Sequence, residues 1–555
     1  MYIDNALNLA YSYAEKICNQ AELDLVSDEL IKIAGKTDEY TFRKDDMKYS
    51  YSETQNMLSK LNEKESIRKS KGVYYTPCDV VHFIVVNSIK SAYGKLKPNN
   101  IGQEDLSDIP YKSFATRKTV FDPTCGSGEY LLVALEMKID ALSRHYKKIP
   151  LHMVHEAVRT IFGNDINEES IAIAKIRILL CILRKVGAYA IDGLANITNP
   201  NFYSYDYIVS ETKGITYDII VGNPPYVEDF KSGLQLSKKY GNIYANVLIN
   251  ATNQLSQNGS MGFIIPLSYI STPRMSTLRD ELFDMVSEQY ILSYADRPDC
   301  LFDSVHQKLC ILIGKQKKDR KKIYTGNYQY WYKEERKNLF KNTQVIRNAF
   351  YLDNCIPKLG TELDIAIFKK ITDAKKMKSV YEVSRNGDES VYLNRREAFW
   401  MKAYREKVDD PEYKIFSFES KEEADYCYCL INSSLFWWYW ISTSDCWHVS
   451  KELNGFMAPF NDKYEETVNL AHNLRQRLED TKVYVGTKQT EYEYKHRECI
   501  KEIHAIDTYV NDLFGLTKEE SEYTMTIYGQ ADRLVLDDYM IEMVCQYKIM
   551  AKSMY

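Results

Sequence analysis

The spacing of apolar and polar positions changes twice along the chain and divides it into three parts. In residues 1–70, apolar side chains recur three and four positions apart, as at Leu7, Tyr11, Ala14 and Ile17. This spacing places them on one face of a helix, while the rest of the segment is polar. We therefore expect residues 1–70 to form helices.

The middle part, from about residue 71 to 315, alternates short apolar runs with longer stretches of helical spacing. The clearest runs are residues 119–121, 217–221 and 262–266. Short buried strands separated by helices indicate a parallel sheet with crossover helices, which is the doubly wound α/β class.

The last 200 or so residues lack this alternation. Residues 413–418 predict a strand, and residues 425–441 predict a buried helix that is unusually aromatic. Residues 461–482 and 494–514 predict two long amphipathic helices. The change of pattern places a domain boundary near residues 315–330.

Composition narrows the class of protein. The chain has 555 residues, of which 45% are hydrophobic and 13% aromatic, so it predicts several globular domains and excludes long disorder. No apolar run of about 18 residues predicts a membrane span, and the amino terminus has no secretory signal. The 12 cysteines are scattered without a zinc spacing, even at Cys427 and Cys429. We expect free thiols, no metal site and a cytoplasmic location.

Charge adds one local feature. The chain carries 72 basic and 77 acidic residues, a net charge of −5. Residues 315–348 reverse this balance, with eleven Lys or Arg against three acids and several interleaved tyrosines. Two interpretations remain open for this basic segment. It is either a solvated hairpin or linker, or a surface that follows the phosphates of a nucleic acid.

The motif with the most chemical content follows the apolar run at 217–221. There the chain reads Asn223-Pro224-Pro225-Tyr226. Neither proline can donate to a sheet ladder, so the strand stops and its end is stiff. In an open α/β sheet, ligands bind at the carboxyl ends of the strands, which is where this turn lies.

These residues suit an exocyclic amine of a nucleic acid base. The lone pair of such an amine is delocalised into the ring, so the amine is a poor nucleophile. The Asn223 amide oxygen and the Pro224 carbonyl can both accept hydrogen bonds from it, which favours a tetrahedral nitrogen. Tyr226 offers a flat surface for stacking the base. The alternative interpretation is a rigid turn without chemistry.

A second motif lies in residues 120–130, where a strand leads through Asp122 into a turn with Gly126 and Gly128. Glycines allow a close approach of the backbone to a ligand. A carboxylate beside this turn suits a ligand with an ammonium group. No Gly-Lys-Ser/Thr follows, so it is not a Walker loop.

Another acid, Asp165, ends the next predicted strand and can hold a ribose diol. It follows the glycine turn by about 40 residues rather than the roughly 20 of a dinucleotide fingerprint, so an additional helix must lie between them. The alternative interpretation makes Asp165 the amino-terminal cap of a helix over 167–178.

The order of these motifs resembles the gamma class of S-adenosylmethionine-dependent DNA N6-adenine methyltransferases, the modification enzymes of restriction systems and their solitary relatives. The matching segments are residues 72–77, 122–128, 223–226, 241–247 and 262–266. The resemblance implies a Rossmann-like methyltransferase domain over 71–320. It also implies a preceding helical segment, 1–70, and an α+β target-recognition domain, 321–555, that includes the helix start at 430–436.

The resemblance further implies contacts with S-adenosylmethionine. They are Tyr74, Tyr75 and Thr76 for the methionine end; Asp122, Gly126 and Gly128 for methionine and ribose; Asp165 for the ribose hydroxyls; Ile166 for the adenine ring; and Asp206 with Tyr207 for the adenine amine.

The implied substrate is an adenine flipped out of duplex DNA, with Asn223, Pro224, Pro225 and Tyr226 as the catalytic set. Phe302 would sandwich the base from the side opposite Tyr226, unless it is a core residue at a strand edge. No metal is needed.

Other functions stay open. Asn-Pro-Pro-Tyr also occurs in RNA and protein-glutamine methyltransferases, which usually lack a long carboxyl-terminal region. DNA cytosine N4 methylation and a catalytically silent DNA-binding subunit of a defence complex are further alternatives. About 70 residues precede Gly72, too few for a nuclease domain, so we expect a chain that modifies DNA and does not cut it, with any partner nuclease encoded separately.

Overall fold

The chain folds into two compact units, Met1–Ala349 and Phe350–Tyr555. The computed structural model describes residues 2–37, 39–43, 49–61, 75–210, 214–302, 306–352, 355–372, 377–396, 401–408, 411–449, 455–460, 464–484, 486 and 492–527.

The first unit contains a nine-stranded sheet in the order β3-β2-β1-β4-β5-β7-β6-β8-β9. Its strands are β1 Val120–Asp122, β2 Ile161–Asn164, β3 Phe202–Tyr203, β4 Tyr217–Gly222, β5 Leu255–Pro266, β6 Val286–Tyr294, β7 Leu309–Lys315, β8 Lys317–Gln329 and β9 Ile346–Asn348.

Strands β3, β2, β1, β4 and β5 run parallel, and β7 is antiparallel to both of its neighbours, β5 and β6. Consequently β1, β2, β4, β5 and β6 all end at the same edge of the sheet, which we call the catalytic edge. The opposite edge carries the amino ends of these strands.

Helices surround this sheet. Within the described part of the first unit they are Tyr2–Glu15, Gln20–Ile33, Tyr51–Lys60, Cys78–Ala92, Tyr111–Thr116, Glu129–Ser143, Leu151–Arg159, Glu168–Lys185, Leu194–Asn201, Tyr244–Asn253, Ser268–Ser271, Ser276–Met285 and Arg336–Leu339. Helices therefore do form in residues 1–70. They pack within the first unit, and the buried Glu29 accepts a hydrogen bond from the Ala195 N–H at 2.7 Å.

Local chemistry explains where key helices begin. The helix Glu168–Lys185 is capped by Asn167, whose side chain accepts from the Glu169 N–H. Acids occupy its first turn and bases its last turn, which complements the helix dipole. The cap is thus Asn167, and the alternative interpretation of Asp165 as the cap is wrong.

The strands predicted at 119–121, 217–221, 262–266 and 413–418 all form, the first shifted by one residue, the second and third longer, and the last with the predicted bounds. The additional helix required between the glycine turn and Asp165 is Leu151–Arg159. The doubly wound α/β class is confirmed. We find no helix among the described residues that is long and apolar enough to cross a membrane.

The boundary between the units differs from the predicted one. It follows Ala349, because the basic segment 315–348 forms β8 and β9 of the sheet rather than a linker. β8 pairs with β6 along its length, from Val286↔Lys317 to Tyr294↔Gln329. The segment carries many charges, but its backbone pairs with β6, and this pairing makes it the outermost part of the sheet.

The second unit combines small sheets with helices. Its described helices are Glu362–Thr372, Val380–Val383, Lys421–Ile431, Ser434–Thr443, Glu465–Thr481, Ile500–Leu513 and Lys518–Glu522. Its strands are β10 Met377–Lys378, β11 Glu389–Asn394, β12 Ala403–Tyr404, β13 Tyr413–Phe418, β14 Ala458–Pro459, β15 Val483–Tyr484 and β16 Tyr492–Glu493.

The predicted single helix over 425–441 is in fact two helices. The first helix ends at Ile431, with Asn432 as its cap, and the Ser433 side chain caps the second helix by accepting from the Phe436 N–H. The first helix is buried from Ala424 onward, and the second, which carries the aromatic run, is buried along its whole length. Cys427 and Cys429 lie buried on the first of them, not on a strand.

Candidate active site

A cavity of about 470 Å³ lies at the catalytic edge, beyond the ends of β1, β2 and β4. It gathers residues that are far apart in sequence. The predicted site residues that line it are Tyr75, Thr76, Asp122, Gly126, Asp165, Ile166, Asp206, Tyr207, Asn223 and Pro225.

The other predicted residues have different places. Gly128 begins a helix beneath the cavity, and Pro224 and Tyr226 belong to the turn beside it. Tyr74 lies outside the described residues. Phe302 is 1% exposed and is not part of the cavity lining.

The glycine turn needs both of its glycines, for different reasons. Gly126 and Gly128 adopt φ values of 50° and 83°, the left-handed region that favours glycine. A Cβ on Gly128 would also lie 2.9 Å from that of Ala174. This close approach packs the helix Glu129–Ser143 against the helix Glu168–Lys185.

A buried arginine, Arg177, which the sequence did not indicate, supports this turn through hydrogen bonds. Arg177 donates to the Ser127 carbonyl at 2.8 Å and to the Glu129 carboxylate at 2.6 Å. Glu129 in turn accepts a hydrogen bond from the Tyr75 hydroxyl at 2.7 Å. The Arg177–Glu129 pair thereby connects the glycine turn to the Tyr75-Thr76 segment.

Asp122 lies at the bottom of the cavity and is 1% exposed. It accepts a hydrogen bond from the Thr124 N–H at 3.0 Å. Burial, together with the charge of Asp165, raises the pKa of this carboxyl well above its usual value. A ligand with a positive charge would therefore gain a strong partner here.

The carboxylate of Asp122 also explains the glycine before Asn223. A Cβ on Gly222 would lie 2.8 Å from the Asp122 Oδ1. No other residue fits without displacing the acid. Gly222 thus lets β1 and β4 bring Asp122 and Asn223 to one cavity.

Asp165 follows β2 and joins the glycine turn. Its two oxygens accept from the Gly126 N–H and the Asn167 N–H, each at 2.9 Å. The next residue, Ile166, is 69% exposed at the cavity wall. A large apolar side chain in that position offers a surface for a flat ring.

Asp206 and Tyr207 occupy the opposite wall. Asp206 accepts a hydrogen bond from the Ile208 N–H at 2.9 Å. Tyr207 is buried, and its hydroxyl donates to the Gln254 side chain at 2.7 Å, away from the cavity. The ring of Tyr207 can therefore support this wall, while its hydroxyl belongs to the core.

The amide of Asn223 has a fixed orientation. The side-chain Nδ2 donates to the Thr76 hydroxyl at 3.0 Å, and the backbone carbonyl of Asn223 accepts from the Thr124 hydroxyl at 3.4 Å. Because the hydrogen bond to Thr76 fixes which side of the amide carries Nδ2, it also fixes the position of the acceptor Oδ1. Thr76 therefore orients the amide as well as lining the cavity.

The ring of Tyr226 is fixed at its far end. Its hydroxyl donates to the Ile264 carbonyl on β5 at 2.8 Å, and its ring meets that of Tyr244 edge to face at 6.4 Å. Held in this way, the half-buried ring is a stiff wall beside Asn223.

Hydrogen bonds from Arg336, which the sequence did not indicate, hold the loop of Phe302; we call this set of contacts the Arg336 clamp. Arg336 donates to the carbonyls of Cys300 and Leu301 and, with two nitrogens, to the Asp79 carboxylate at 2.8 and 3.0 Å. The clamp connects the loop of Phe302 to the helix that follows Thr76. In this structure Phe302 is a core residue, as the alternative interpretation expected.

The most basic part of segment 315–348 lies far from the cavity. Because β8 runs parallel to β6, Lys317 and Lys322 are paired with the beginning of β6, at the edge opposite the catalytic edge. These lysines therefore do not border the cavity, and the interpretation of the segment as a surface that follows phosphates stays a prediction.

Comparisons with known proteins agree with this geometry. One solved structure with a similar fold is that of the Type IIL restriction-modification enzyme MmeI, determined in complex with DNA. It aligns with a TM-score of 0.52 at 12% identity, over 87% of this chain and 82% of that one. The likeness supports the fold class.

Sequence comparisons find similarity to methylases of restriction-modification systems. Residues 159–299 match the family model described as Eco57I restriction-modification methylase. The chain is also 26% identical over 218 residues to the modification methylase CviBIII of Paramecium bursaria Chlorella virus NC1A. That alignment covers 38% of this chain and 45% of the relative, so less than half of the relative is matched. The predicted resemblance to methyltransferases of restriction-modification systems is confirmed.

Proposed function

We propose that this protein is a site-specific DNA methyltransferase that transfers a methyl group from S-adenosylmethionine to the N6 amine of an adenine flipped out of duplex DNA. One observation carries the proposal. An oriented amide, that of Asn223, opens into the same cavity as the buried carboxyl of Asp122.

The residues of the cavity fit this cofactor. Asp122 is a buried acid with a raised pKa, and it suits a positively charged group. Asp165 suits the ribose hydroxyls, and the exposed Ile166 suits the adenine ring. Tyr75 and Thr76 would border the methionine end. When bound, S-adenosylmethionine supplies an electrophilic methyl group on a sulfonium ion.

The chain itself would prepare the amine. The Asn223 amide oxygen and the Pro224 carbonyl accept hydrogen bonds from the amine, which brings its lone pair out of conjugation with the ring. Tyr226 stacks on the flipped base. These are effects of position and electrostatics, and they need no strong general base.

The second unit, residues 350–555, is our candidate for target recognition. It follows the sheet domain and has its own compact fold. Duplex DNA is the partner that this assignment requires. If a nuclease acts in the same system, we place it on a separate chain.

The test is to identify the methylated product. Purified protein is incubated with methyl-labelled S-adenosylmethionine and mixed-sequence duplex DNA, and the DNA is digested to nucleosides. We expect label in N6-methyladenine. Label on N4 of cytosine would keep the site and change the base. Label only in RNA or protein would contradict the proposal, and cofactor binding without any transfer would favour a silent DNA-binding subunit.

A further inference from the structure

The loop that follows Tyr226, residues 227–242, forms part of the rim of the cavity, and we call it the rim loop. Four of its residues line the cavity: Val227, Lys231, Ser232 and Leu234. A base that reaches Asn223 must therefore pass close to this loop.

The neck of the rim loop is closed by hydrogen bonds. Asp229 is buried, and its carboxylate accepts from the Gly241 N–H at 2.6 Å. The Ile243 N–H donates to the Val227 carbonyl at 2.9 Å. Gly241 has a φ of 101°, a conformation that favours glycine. The two ends of the loop are thus held together.

Further contacts hold the body of the loop. The Tyr240 hydroxyl donates to the Glu281 carboxylate at 2.6 Å, and Lys238 forms an ion pair with the same acid. Lys231 pairs with Glu228 at 2.5 Å. The loop therefore presents its side chains from a supported backbone.

One large apolar side chain of the rim loop, that of Phe230, is unusually exposed to solvent. Phe230 is 77% exposed, the highest exposure among the large apolar residues of the described chain. It lies immediately before Lys231, whose ammonium is 5.1 Å from the centre of the phenyl ring. An aromatic ring is thus offered to solvent beside the cavity, with a positive charge next to it.

We propose that Phe230 enters the DNA duplex beside the target base and stacks on the bases that border the vacated position. This inference rests on the proposed function. A duplex whose base reaches Asn223 must lie against the catalytic edge, where Phe230 projects. An aromatic ring stacks on any base, and Lys231 can approach the neighbouring phosphates.

The role predicts a specific dependence on base pairing. Extruding a base breaks its pair and its stacking, and a ring in the vacated space offsets that loss. If the partner base is absent from the duplex, no base pair has to be broken, so extruding the target base costs less free energy. Loss of Phe230 should therefore matter much more for a paired target than for an unpaired one.

The experiment first maps the methylated sequence by sequencing DNA modified by the full-length protein. Two synthetic duplexes then carry that sequence, one fully paired and one with an abasic site opposite the methylated base. We expect F230A to lower kcat/KM about 10- to 100-fold on the paired duplex, the factor of one lost aromatic–base stack. On the abasic duplex it should stay within about threefold of the wild type.

Two variants serve as controls. F230W keeps an aromatic ring and should retain activity on both duplexes. I215A removes another exposed apolar side chain, at the opposite edge of the sheet, and should match the wild type on both. All variants should unfold at the wild-type temperature, because Phe230 packs little in the folded protein.

The outcomes separate this inference from the proposed function. If the wild type methylates DNA but F230A is unchanged, or is impaired equally on both duplexes, the role of Phe230 is wrong and the proposed function stands. If the wild type methylates no DNA, the proposed function fails and this inference fails with it.

Discussion

The carboxylates at the cavity of the first unit and those in the core of the second unit have different surroundings. In the first, Asp122 and Asp165 face a cavity and accept hydrogen bonds from backbone N–H groups. In the second, Asp364 is enclosed by protein donors: the N–H groups of Gly360 and Thr361, the Thr361 hydroxyl, the Trp438 indole and the Tyr523 hydroxyl.

Other acids of the second unit follow the same pattern. Asp507 accepts from the N–H and the hydroxyl of Ser434 at 2.6 and 2.7 Å, at the start of the aromatic helix. Asp425 pairs with the buried Arg405 at 2.9 Å. These carboxylates connect helices and loops of the unit to one another.

Burial alone does not separate the two groups, because it raises the pKa of both Asp122 and Asp364. The difference lies in what surrounds the charge. Asp364 has its donors within the fold, whereas Asp122 opens onto a space that a ligand can fill. An acid with surroundings like those of Asp364 stabilises the fold, and an acid with surroundings like those of Asp122 serves binding. Substitutions at four positions, in the cavity and in the second unit, test this comparison.

The largest effect is expected at the cavity. Asn223→Ala removes the amide that accepts from the target amine, so kcat should fall at least about 10²- to 10³-fold. Cofactor affinity and unfolding temperature should change far less, since the variant loses the hydrogen bond to the Thr76 hydroxyl but keeps Asp122 and Asp165. Single-turnover methylation and equilibrium cofactor binding measure the two properties separately. Near-normal turnover by this variant would contradict the assigned role.

The next effect concerns stability in the second unit. Asp364→Ala leaves several buried donors without their acceptor, at about 1–3 kcal/mol each, so the unfolding free energy should fall by at least about 3 kcal/mol. Denaturant unfolding measures this loss. Asp364→Asn keeps one oxygen acceptor and should lose less. Cofactor affinity should remain that of the wild type, and a large change in it would break the comparison.

Asp122→Asn should show the opposite behaviour. We expect a cofactor dissociation constant about 10- to 100-fold higher, because a charge-assisted contact is lost. In the wild type, protons compete with the cation for Asp122, so affinity should weaken as pH falls through the raised pKa of this carboxyl. The variant should lack that pH dependence. The variant should unfold no earlier than the wild type, since a neutral amide replaces an acid whose charged form is disfavoured by burial.

The smallest effect is a pH dependence in the second unit. Burial lowers the pKa of His496 from 6.5 to about 3. As pH falls below 6.5, the unfolded chain takes up a proton that the folded chain refuses, so stability falls by up to about 1.4 kcal/mol per pH unit. His496→Gln should flatten this dependence between pH 7 and 5. An unchanged slope in thermal unfolding would show that other groups cause it.

The catalytic edge was predictable because its signals are local. Strands β1 and β4 are short apolar runs, and each is followed directly by polar residues and prolines or glycines. In a parallel sheet, such strand ends must meet at one edge. Asp122, Asp165 and Asn223 were therefore expected together, and they do line one cavity.

The supporting contacts were not predictable, because they connect distant segments without a pattern. Arg177 reaches Glu129 across 48 residues, and Arg336 reaches Asp79 across 257. Each side chain, read in sequence, is an ordinary helix residue. The place of segment 315–348 in the sheet was not predictable for the same reason, since pairing with β6 outweighs local composition.

By itself, the sequence determined the α/β class and the strand ends at which the motifs lie, and it indicated the residues of the Asn-Pro-Pro-Tyr turn as candidates for chemistry. These follow from periodicity and from residues whose backbone preferences act locally. The tertiary structure alone decided that Thr76 orients Asn223, that Phe302 is in the core, that the sheet extends to Ala349 and that Phe230 projects beside the cavity. Those outcomes depend on which segments pack together, and packing between distant segments leaves no periodic trace in the chain.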